Sequence, residues 1–247
     1  MLHGAHQIKS GHRLTIAWHK RLRRSWAIMA VIVAPLLVLS ITGALAGVHT
    51  ADLLDALGLS FSRLVLGYAI SLFIGVGVAL LIGWSKHTNV FLPFLDVLQN
   101  VPSFALIPVF VLLLGYSTTM IVVFTATSVV WPILFYTLSA IRAAHDDWNE
   151  AATIFGAVGF KRLTHYLLPL SIPAIITGSI VGISIGWEAV IGVEIIGHLG
   201  GIGTFLNDSK DTLTLTVGII SILTLVFIIN RLIWTPLLAR STKNYAD

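Results

Sequence analysis

Four residues with charged or hydrogen-bonding side chains, Arg63, Trp187, Glu188 and Glu194, stand inside otherwise apolar stretches. An ionisable group in such a stretch is costly unless it faces a partner, a cavity or water, so these residues are candidates for lining a solute path. On a helix, Glu188 and Glu194 point about 120° apart, whereas Trp187 and Glu194 share a face. The sequence favours hydrogen bonding at a helix end for Glu194. For Glu188, lining a path and pairing with Arg63 are equally compatible with the sequence.

The sequence contains no arrangement of residues that is typical of an enzyme site. The segment GISIG, residues 182–186, matches a hydrolase nucleophile elbow, but it lies in an apolar stretch without partners for a triad. A glycine-rich loop followed by Lys-Ser/Thr, which would bind ATP, is absent. Cysteine is absent too, and the isolated His49 and His198 do not make a metal site. We therefore predict a protein that is not an enzyme, without catalytic residues, metal or cofactor.

The stretch EAATIFGAVGFKRLTHYLLP, residues 150–169, is polar and lies between two apolar runs. Acidic residues before it favour a helix over 146–158, with one of two leading aspartates as its N-cap. Gly156 and Gly159 allow a turn, and Pro169 suits the first turn of another helix. The local sequence is equally compatible with a connector resting in lipid headgroups and with a docking element for a cytoplasmic partner.

Composition places these residues in a membrane protein. The chain of 247 residues is 56% hydrophobic and 11% charged, whereas soluble domains carry about a quarter charged residues. We predict an all-α polytopic membrane protein, and ~20 apolar residues per span give about six transmembrane helices, near 26–46, 61–83, 104–115 with an approach from 91, 119–141, 170–193 and 212–235. Prolines bracket the third span, so we expect it to be broken and packed inside the protein.

Lysine and arginine are concentrated in the N-terminal tail, in the loops at 84–90 and 142–168 and at the C-terminal end. Because basic loops stay on the cytoplasmic side, both termini are predicted to be cytoplasmic. The predicted organisation is a basic cytoplasmic tail (1–25), a transmembrane domain (26–240) with a cytoplasmic loop at 142–169, and a cytoplasmic C-terminal tail (241–247). Beside a span, the basic tail indicates membrane orientation and not nucleic-acid binding.

Two predicted spans carry small residues at four-residue spacing, which lets helices approach closely. They are Gly67, Ser71, Gly75, Ala79 and Gly83 on the second span, and Gly178, Gly182 and Gly186 on the fifth.

The polar stretch resembles the EAA loop of ABC-importer permease subunits, whose pattern is Glu-Ala-Ala, three residues, Gly, nine residues, Ile, one residue, Leu-Pro. The matching residues are Glu150, Ala151, Ala152, Gly156, Leu168 and Pro169, with Tyr166 in place of Ile. Two further segments are similar to the nitrate/sulfonate/taurine branch of these permeases. They are FLPFLDVLQNVPSFALIPVFVLLLGYS, residues 91–117, and the stretch from Glu194 to Gly203.

This resemblance implies the permease subunit of a type I ABC importer in the cell membrane of a prokaryote. Two such subunits, most simply a homodimer, would form the path, and two cytoplasmic ATPase subunits would hydrolyse ATP. A periplasmic or lipid-anchored substrate-binding protein would deliver the solute. The matched residues would form a coupling helix between spans four and five, with Glu150 paired to a basic group of the ATPase, Gly156 setting the turn, and Leu168 and Pro169 passing movement to span five.

The resemblance also implies a small anion as solute, such as nitrate, a sulfonate, taurine or bicarbonate. Two span acids with few span bases do not obviously suit an anion path, although selectivity in such importers lies largely with the binding protein. The alternative is a secondary, ion-coupled transporter that works without an ATPase. Such a protein would use inverted repeats and a midplane ion site, and the sequence displays neither.

Overall fold

The computed structural model describes residue 47 and residues 50–85, 88–144 and 146–243. Within these ranges the regular structure is entirely helical: α1 (Thr50–Trp84), α2 (Thr88–Gln99), α3 (Ile107–Leu114), α4 (Thr118–Arg142), α5 (Asp146–Ile154), α6 (Leu168–Gly197), α7 (Ile202–Asp208), α8 (Thr212–Ile229) and α9 (Thr235–Lys243). The predicted first span at 26–46 and the basic tail at 1–25 lie outside the described residues, as do residues 244–247.

Four described stretches are long and apolar enough to cross a membrane: Ala51–Trp84, Thr118–Arg142, Phe160–Gly197 and Thr212–Ser241. A fifth span results if the bent pair Val90–Gln99 and Ser103–Leu114 is counted as one. The predicted all-α membrane class is confirmed, whereas the count of six is not.

The predicted third span is broken, because its two helices meet at an angle of 79°. Pro102 precedes the 3-10 turn Ser103–Leu106 at the break, and Pro108 occupies the first turn of α3. The expected burial is wrong within this single chain: Leu112 is 87% exposed and Leu113 is 74% exposed. The short α3 contacts the rest of the chain on one side only, and Ile107 is its buried residue.

Helix α4 is the centre of the bundle and packs against both α1 and α6. In its most apolar 18-residue window 61% of residues are buried, against 22% in α1 and 28% in the stretch that contains α6. The small residues predicted to form interfaces lie at these two contacts. A Cβ at Gly67 of α1 would stand 2.9 Å from Thr125, and one at Gly178 of α6 would stand 2.9 Å from the Pro132 carbonyl oxygen. Both predicted interfaces are therefore confirmed.

The fifth span starts earlier than the predicted 170–193. A helical turn at Phe160–Arg162 runs through the π-helical turn Leu163–Leu167 directly into α6, so the rod extends over Phe160–Gly197. A second π-helical turn, Asn230–Trp234, joins α8 to α9 in the same way. Each π-helical turn contains one residue more than the α-helical turn it replaces, because its hydrogen bonds span five residues and not four.

Candidate functional site

The segment between α4 and α6 is built around a glycine-terminated helix. Helix α5 ends at Ile154, and Gly156 follows in the left-handed region with φ 81°. The N–H of Ala157 donates to the carbonyl of Ala152 at 2.8 Å, and the N–H of Gly156 donates to that of Thr153 at 3.0 Å. This pair of bonds is the Schellman motif, which satisfies the last carbonyls of a helix and favours glycine at the left-handed position. The sequence-based helix to 158 is therefore four residues too long.

The residues of the Glu-Ala-Ala segment face outward. Glu150, Ala151 and Gly156 are exposed, and Ala152 is half-buried. Beside them Ile154 is 82% exposed and Phe155 is 89% exposed. We call the exposed residues Glu150, Ala151, Ile154, Phe155 and Gly156 the connector surface. Apolar side chains this exposed on a short helix, next to a carboxylate, are typical of a surface that another molecule covers.

A cavity opens beside the connector surface. It has a volume of about 440 Å³ and is lined by Asn149, Glu150, Thr153, Ile154 and Arg162. An Nη2 proton of Arg162 is donated to Asn149 Oδ1 over 3.4 Å, so the turn after α5 is tied back to that helix. The cavity therefore offers a carboxylate and a guanidinium with an apolar wall, which suits a polar protein segment more than a free apolar ligand.

Leu168 and Pro169 lie beyond the π-helical turn, at the start of α6, and are half-buried. Leu168 lines a different cavity of about 690 Å³ between α1 and α6, with apolar residues such as Val65, Phe73 and Ile175. Of the six matched residues, three belong to the connector surface, Ala152 is half-buried beside them, and Leu168 and Pro169 lie in the first turn of α6.

Arg63 and Glu194 form a buried ion pair, with Arg63 Nη1 and Glu194 Oε1 2.7 Å apart. Arg63 is 3% exposed and Glu194 is fully buried. Ser60 Oγ lies 2.8 Å from both carboxylate oxygens, and we call Ser60, Arg63 and Glu194 the glutamate cluster. The suggested pairing of Glu188 with Arg63 is wrong, because the Arg63 guanidinium pairs with the carboxylate of Glu194, which lies on a different side of α6.

The partners of the glutamate cluster were missed by the sequence analysis. Arg63 also donates to Thr118 Oγ1 at 3.1 Å and to the carbonyls of Leu199 and Gly200 at 2.8 and 3.1 Å. The spacing of Ser60 and Arg63, three residues apart on one helix face, was an available signal. The backbone contacts carry no such signal, since they depend on how the chain turns after α6.

Glu188 and Trp187 have opposite environments. Glu188 is exposed in the described chain, and Ser184, one turn earlier on α6, is exposed as well. Trp187 is buried and stacks on Phe61 with ring centroids 6.5 Å apart. The Trp187 Nε1 has no hydrogen-bond partner among the described residues. The Trp187 side chain lines a small cavity of about 30 Å³, together with Ser184 and Asn230. The structure therefore places Glu188 and Ser184 on an open face and Trp187 behind it.

Within the described residues, no group of three or more histidine, aspartate or glutamate side chains is placed to hold a metal ion. The exposed connector surface precedes α6, the buried ion pair lies near the other end of α6, and the exposed Ser184 and Glu188 lie between them.

The chain is similar in sequence to several transport permease proteins. The chain is 26% identical to the putative aliphatic sulfonates transport permease protein SsuC of Bacillus subtilis over 65% of its length and 59% of that protein's length. It is 29% identical to the bicarbonate transport system permease protein CmpB of Synechococcus elongatus, covering 61% of this chain and 55% of CmpB. It is 24% identical to the taurine transport system permease protein TauC of Escherichia coli, covering 74% of this chain and 66% of TauC. The matched part thus spans between half and two thirds of these relatives.

The family model of the binding-protein-dependent transport system inner membrane component matches residues 74–243. This range contains the connector surface, α4, α6 and the acidic member of the glutamate cluster, and it makes up more than half of the chain. The chain belongs to the family of binding-protein-dependent transport system inner membrane components.

Proposed function

We propose that the chain is the membrane-spanning permease subunit of an ATP-driven importer of a small solute. The connector surface is the observation that carries this proposal. It combines the Glu-Ala-Ala spacing with the left-handed Gly156 and two apolar side chains, Ile154 and Phe155, that are more than four-fifths exposed. A cytoplasmic ATPase that inserts a complementary cleft here would cover the apolar side chains and meet the Glu150 carboxylate with a basic group.

The rod that follows the connector surface would carry movement into the membrane. From Phe160 the helix continues to Gly197, with Pro173 removing one backbone donor, and its glycine face is packed tightly on α4. Displacement of the connector by a closing ATPase dimer would therefore move α6 as a stiff element. The π-helical turn Leu163–Leu167 departs from regular α-helical hydrogen bonding near the start of this rod.

The path for the solute would lie along the open face of α6 that carries Ser184 and Glu188. A carboxylate exposed on the side of an apolar span is costly against lipid, so a water-filled path or a second subunit is the expected neighbour. We place Trp187 just behind this face. Arg63 and Glu194, which the sequence also nominated for the path, are assigned a structural role instead, because their charges neutralise each other in the interior.

The names of the relatives support a class of solute. Those named above are permease proteins for aliphatic sulfonates, bicarbonate and taurine, and a further relative is a nitrate import permease protein. We propose a solute of this class, a small molecule with an anionic oxygen-bearing group, handed over by a substrate-binding protein. The partners would be two ATPase subunits, a second copy of the chain and the lipid of a prokaryotic cell membrane, with both termini in the cytoplasm.

The test is ATP hydrolysis by the chain reconstituted in liposomes with its candidate ATPase and binding proteins loaded with nitrate, bicarbonate, taurine or an alkyl sulfonate. We expect stimulation by one loaded binding protein, and loss of that stimulation in Glu150→Ala and Gly156→Glu. The matched control is Asp96→Ala, an exposed acid of α2 far along the chain from the connector. Solute uptake without any ATPase, or unchanged stimulation in both variants, would favour the ion-coupled carrier instead.

The path has its own test because the chain contains no cysteine. A single cysteine at Ser184 is expected to react with a charged methanethiosulfonate reagent, since the thiolate forms only in water. A cysteine at Leu223, an exposed apolar position of α8, is the control and is expected to stay unreactive. Equal reactivity at the two positions would remove α6 from the path.

A further inference from the structure

The glutamate cluster lies where the chain reverses direction after α6. Residues 198–201 form this reversal and lead into the short helix α7. The Glu194 carboxylate accepts hydrogen bonds from Arg63 at 2.7 Å, from Ser60 at 2.8 Å and from the backbone N–H of Gly203 at 2.9 Å. A carboxylate of α6 is therefore shared between α1 and the first turn of α7.

The two α1 residues of the cluster also hold the backbone of the reversal directly. Arg63 donates to the Leu199 and Gly200 carbonyls, and Ser60 Oγ accepts the N–H of Ile202 at 2.8 Å. Carbonyls after a helix end and N–H groups at a helix start lack partners within the helix. The cluster supplies partners for both kinds of group, so the reversal depends on it for its hydrogen bonding.

The glycines of the reversal show how closely it is wrapped around the carboxylate. Gly201 has φ 90°, and a Cβ there would collide with both oxygens of Glu194. A Cβ at Gly203 would lie 2.8 Å from Glu194 Cβ. The chain can approach this closely only without side chains at those positions.

A buried ion pair is by itself weak evidence for stability, because burying two charges costs about as much as their attraction returns. What distinguishes this cluster is that its hydrogen bonds go to the reversal and to the N-terminus of α7. Apolar residues of equal volume would fill the space but would leave those backbone groups without partners. The cluster is therefore suited to fixing where α7 sits relative to α1 and α6.

We propose that Ser60, Arg63 and Glu194 are positioning residues that hold α7 and the reversal on the bundle, and that they thereby set the response of the importer to its loaded binding protein. The second half rests on the proposed function. The 30-residue α6 is about 45 Å long, with the connector surface before it and the reversal after it. If the ATPase docks at the connector, the reversal lies at the opposite membrane face, where a binding protein arrives.

The first arm of the test measures the position of α7 directly. Ile202 is fully buried, so a single cysteine there is expected to react slowly with a membrane-impermeant maleimide. In Glu194→Gln we expect its labelling to be faster by roughly tenfold or more. The double variant Arg63→Met with Glu194→Met should also label fast, because methionines cannot bond the backbone. Asp52→Asn, an exposed acid-to-amide change on α1, should leave labelling slow.

A cysteine at Val129, fully buried in α4, reports on general unfolding and is expected to stay protected in every background. Unchanged labelling at position 202 in Glu194→Gln would overturn the proposal. So would an equal rise at positions 202 and 129, or slow labelling in the double methionine variant, since packing alone would then hold α7.

The second arm uses the reconstituted complex with its ATPase. In Glu194→Gln we expect the half-maximal concentration of loaded binding protein to rise by roughly tenfold, with basal ATP hydrolysis within about twofold of wild type. A parallel fall of basal and stimulated rates without a change in that concentration would mean that the cluster only stabilises the fold. If the wild-type chain supports no ATP hydrolysis at all, the proposed function fails, while the labelling arm still decides whether the cluster positions α7.

Discussion

Replacing Gly178 by alanine tests the central packing contact of the bundle. A Cβ at this position would lie 2.9 Å from the Pro132 carbonyl oxygen, 3.0 Å from Ile133 Cα and 3.1 Å from Tyr136 Cβ. Two of these three neighbours are backbone atoms, which cannot rotate away as the end of a side chain can. Carbon atoms in contact prefer separations of about 3.5–4.0 Å. Helices α4 and α6 must therefore separate by roughly half an ångström to one ångström.

The expected cost follows from two opposing contributions. Overpacking a close contact costs about 1–3 kcal/mol, while alanine in a helix interior is better than glycine by about 0.8–1 kcal/mol. The net result for Gly178→Ala is a loss of about 1 kcal/mol of the free energy of unfolding.

Gly58→Ala is the matched control, because Gly58 lies in α1 with open space around its Cα. It is expected to gain about 0.8–1 kcal/mol from helix propensity alone. Since that contribution is common to both variants, the difference between them isolates the overpacking, about 1–3 kcal/mol. The assay is unfolding in mixed micelles titrated with SDS and followed by circular dichroism. If Gly178→Ala proved as stable as Gly58→Ala, the reasoning about the α4–α6 contact would be refuted.

Three further predictions concern other parts of the chain. Glu194→Gln should lower the free energy of unfolding in the same SDS titration by about 3 kcal/mol or more, because it leaves the buried Arg63 charge without a counter-charge. No loss of stability in this variant would contradict the buried ion pair. Gly156→Ala should destabilise α5 by about 1–2 kcal/mol, because the backbone of Gly156 is left-handed. The loss should be visible as faster amide exchange in the last turn of α5, and unchanged exchange there would argue against the Schellman motif. The Thr214 hydroxyl donates a hydrogen bond to the Asp211 carboxylate, and the N–H of Thr214 donates a second at 2.8 Å. These bonds, that of the hydroxyl first, hold the pKa of the Asp211 carboxyl below its usual range. Its contribution to stability should be present above the unfolded-state pKa of about 3.9 and be lost as the pH falls through the lower folded-state pKa, and Asp211→Asn should abolish that pH dependence.

The parts of the fold that local sequence determines could be predicted. The approximate places of the described spans follow from apolar length, although two of them, Ala51–Trp84 and Phe160–Gly197, begin about ten residues before the predicted 61 and 170. The break before α3 follows from Pro102, and the interfaces follow from glycines at four-residue spacing. The turn at Gly156 was predictable for the same reason, because a short helix followed by glycine is a local signal.

The remainder depends on contacts between distant parts of the chain. Arg63 and Glu194 are 131 positions apart in the sequence, and the choice between Glu188 and Glu194 as partner is decided by the reversal after α6. The π-helical turn that extends the fifth span adds a residue without any marker in composition. The exposure of α3 was not predicted either, because a segment broken by prolines was expected to be buried in protein, whereas Leu112 and Leu113 of α3 are exposed in this single chain.

Helix α4 faces glycines on two neighbours at once. A Cβ at Gly67 of α1 or at Gly186 of α6 would meet Thr125, and a Cβ at Gly75 of α1 or at Gly178 of α6 would meet Ile133. A larger side chain at Thr125 must therefore be accommodated on two helices simultaneously, which single mutational steps rarely achieve. Over evolutionary time this seam should be among the slowest parts of the chain to vary. Relatives that are named for different solutes should differ on the open faces of α6 and keep the same α4 sequence pattern behind them.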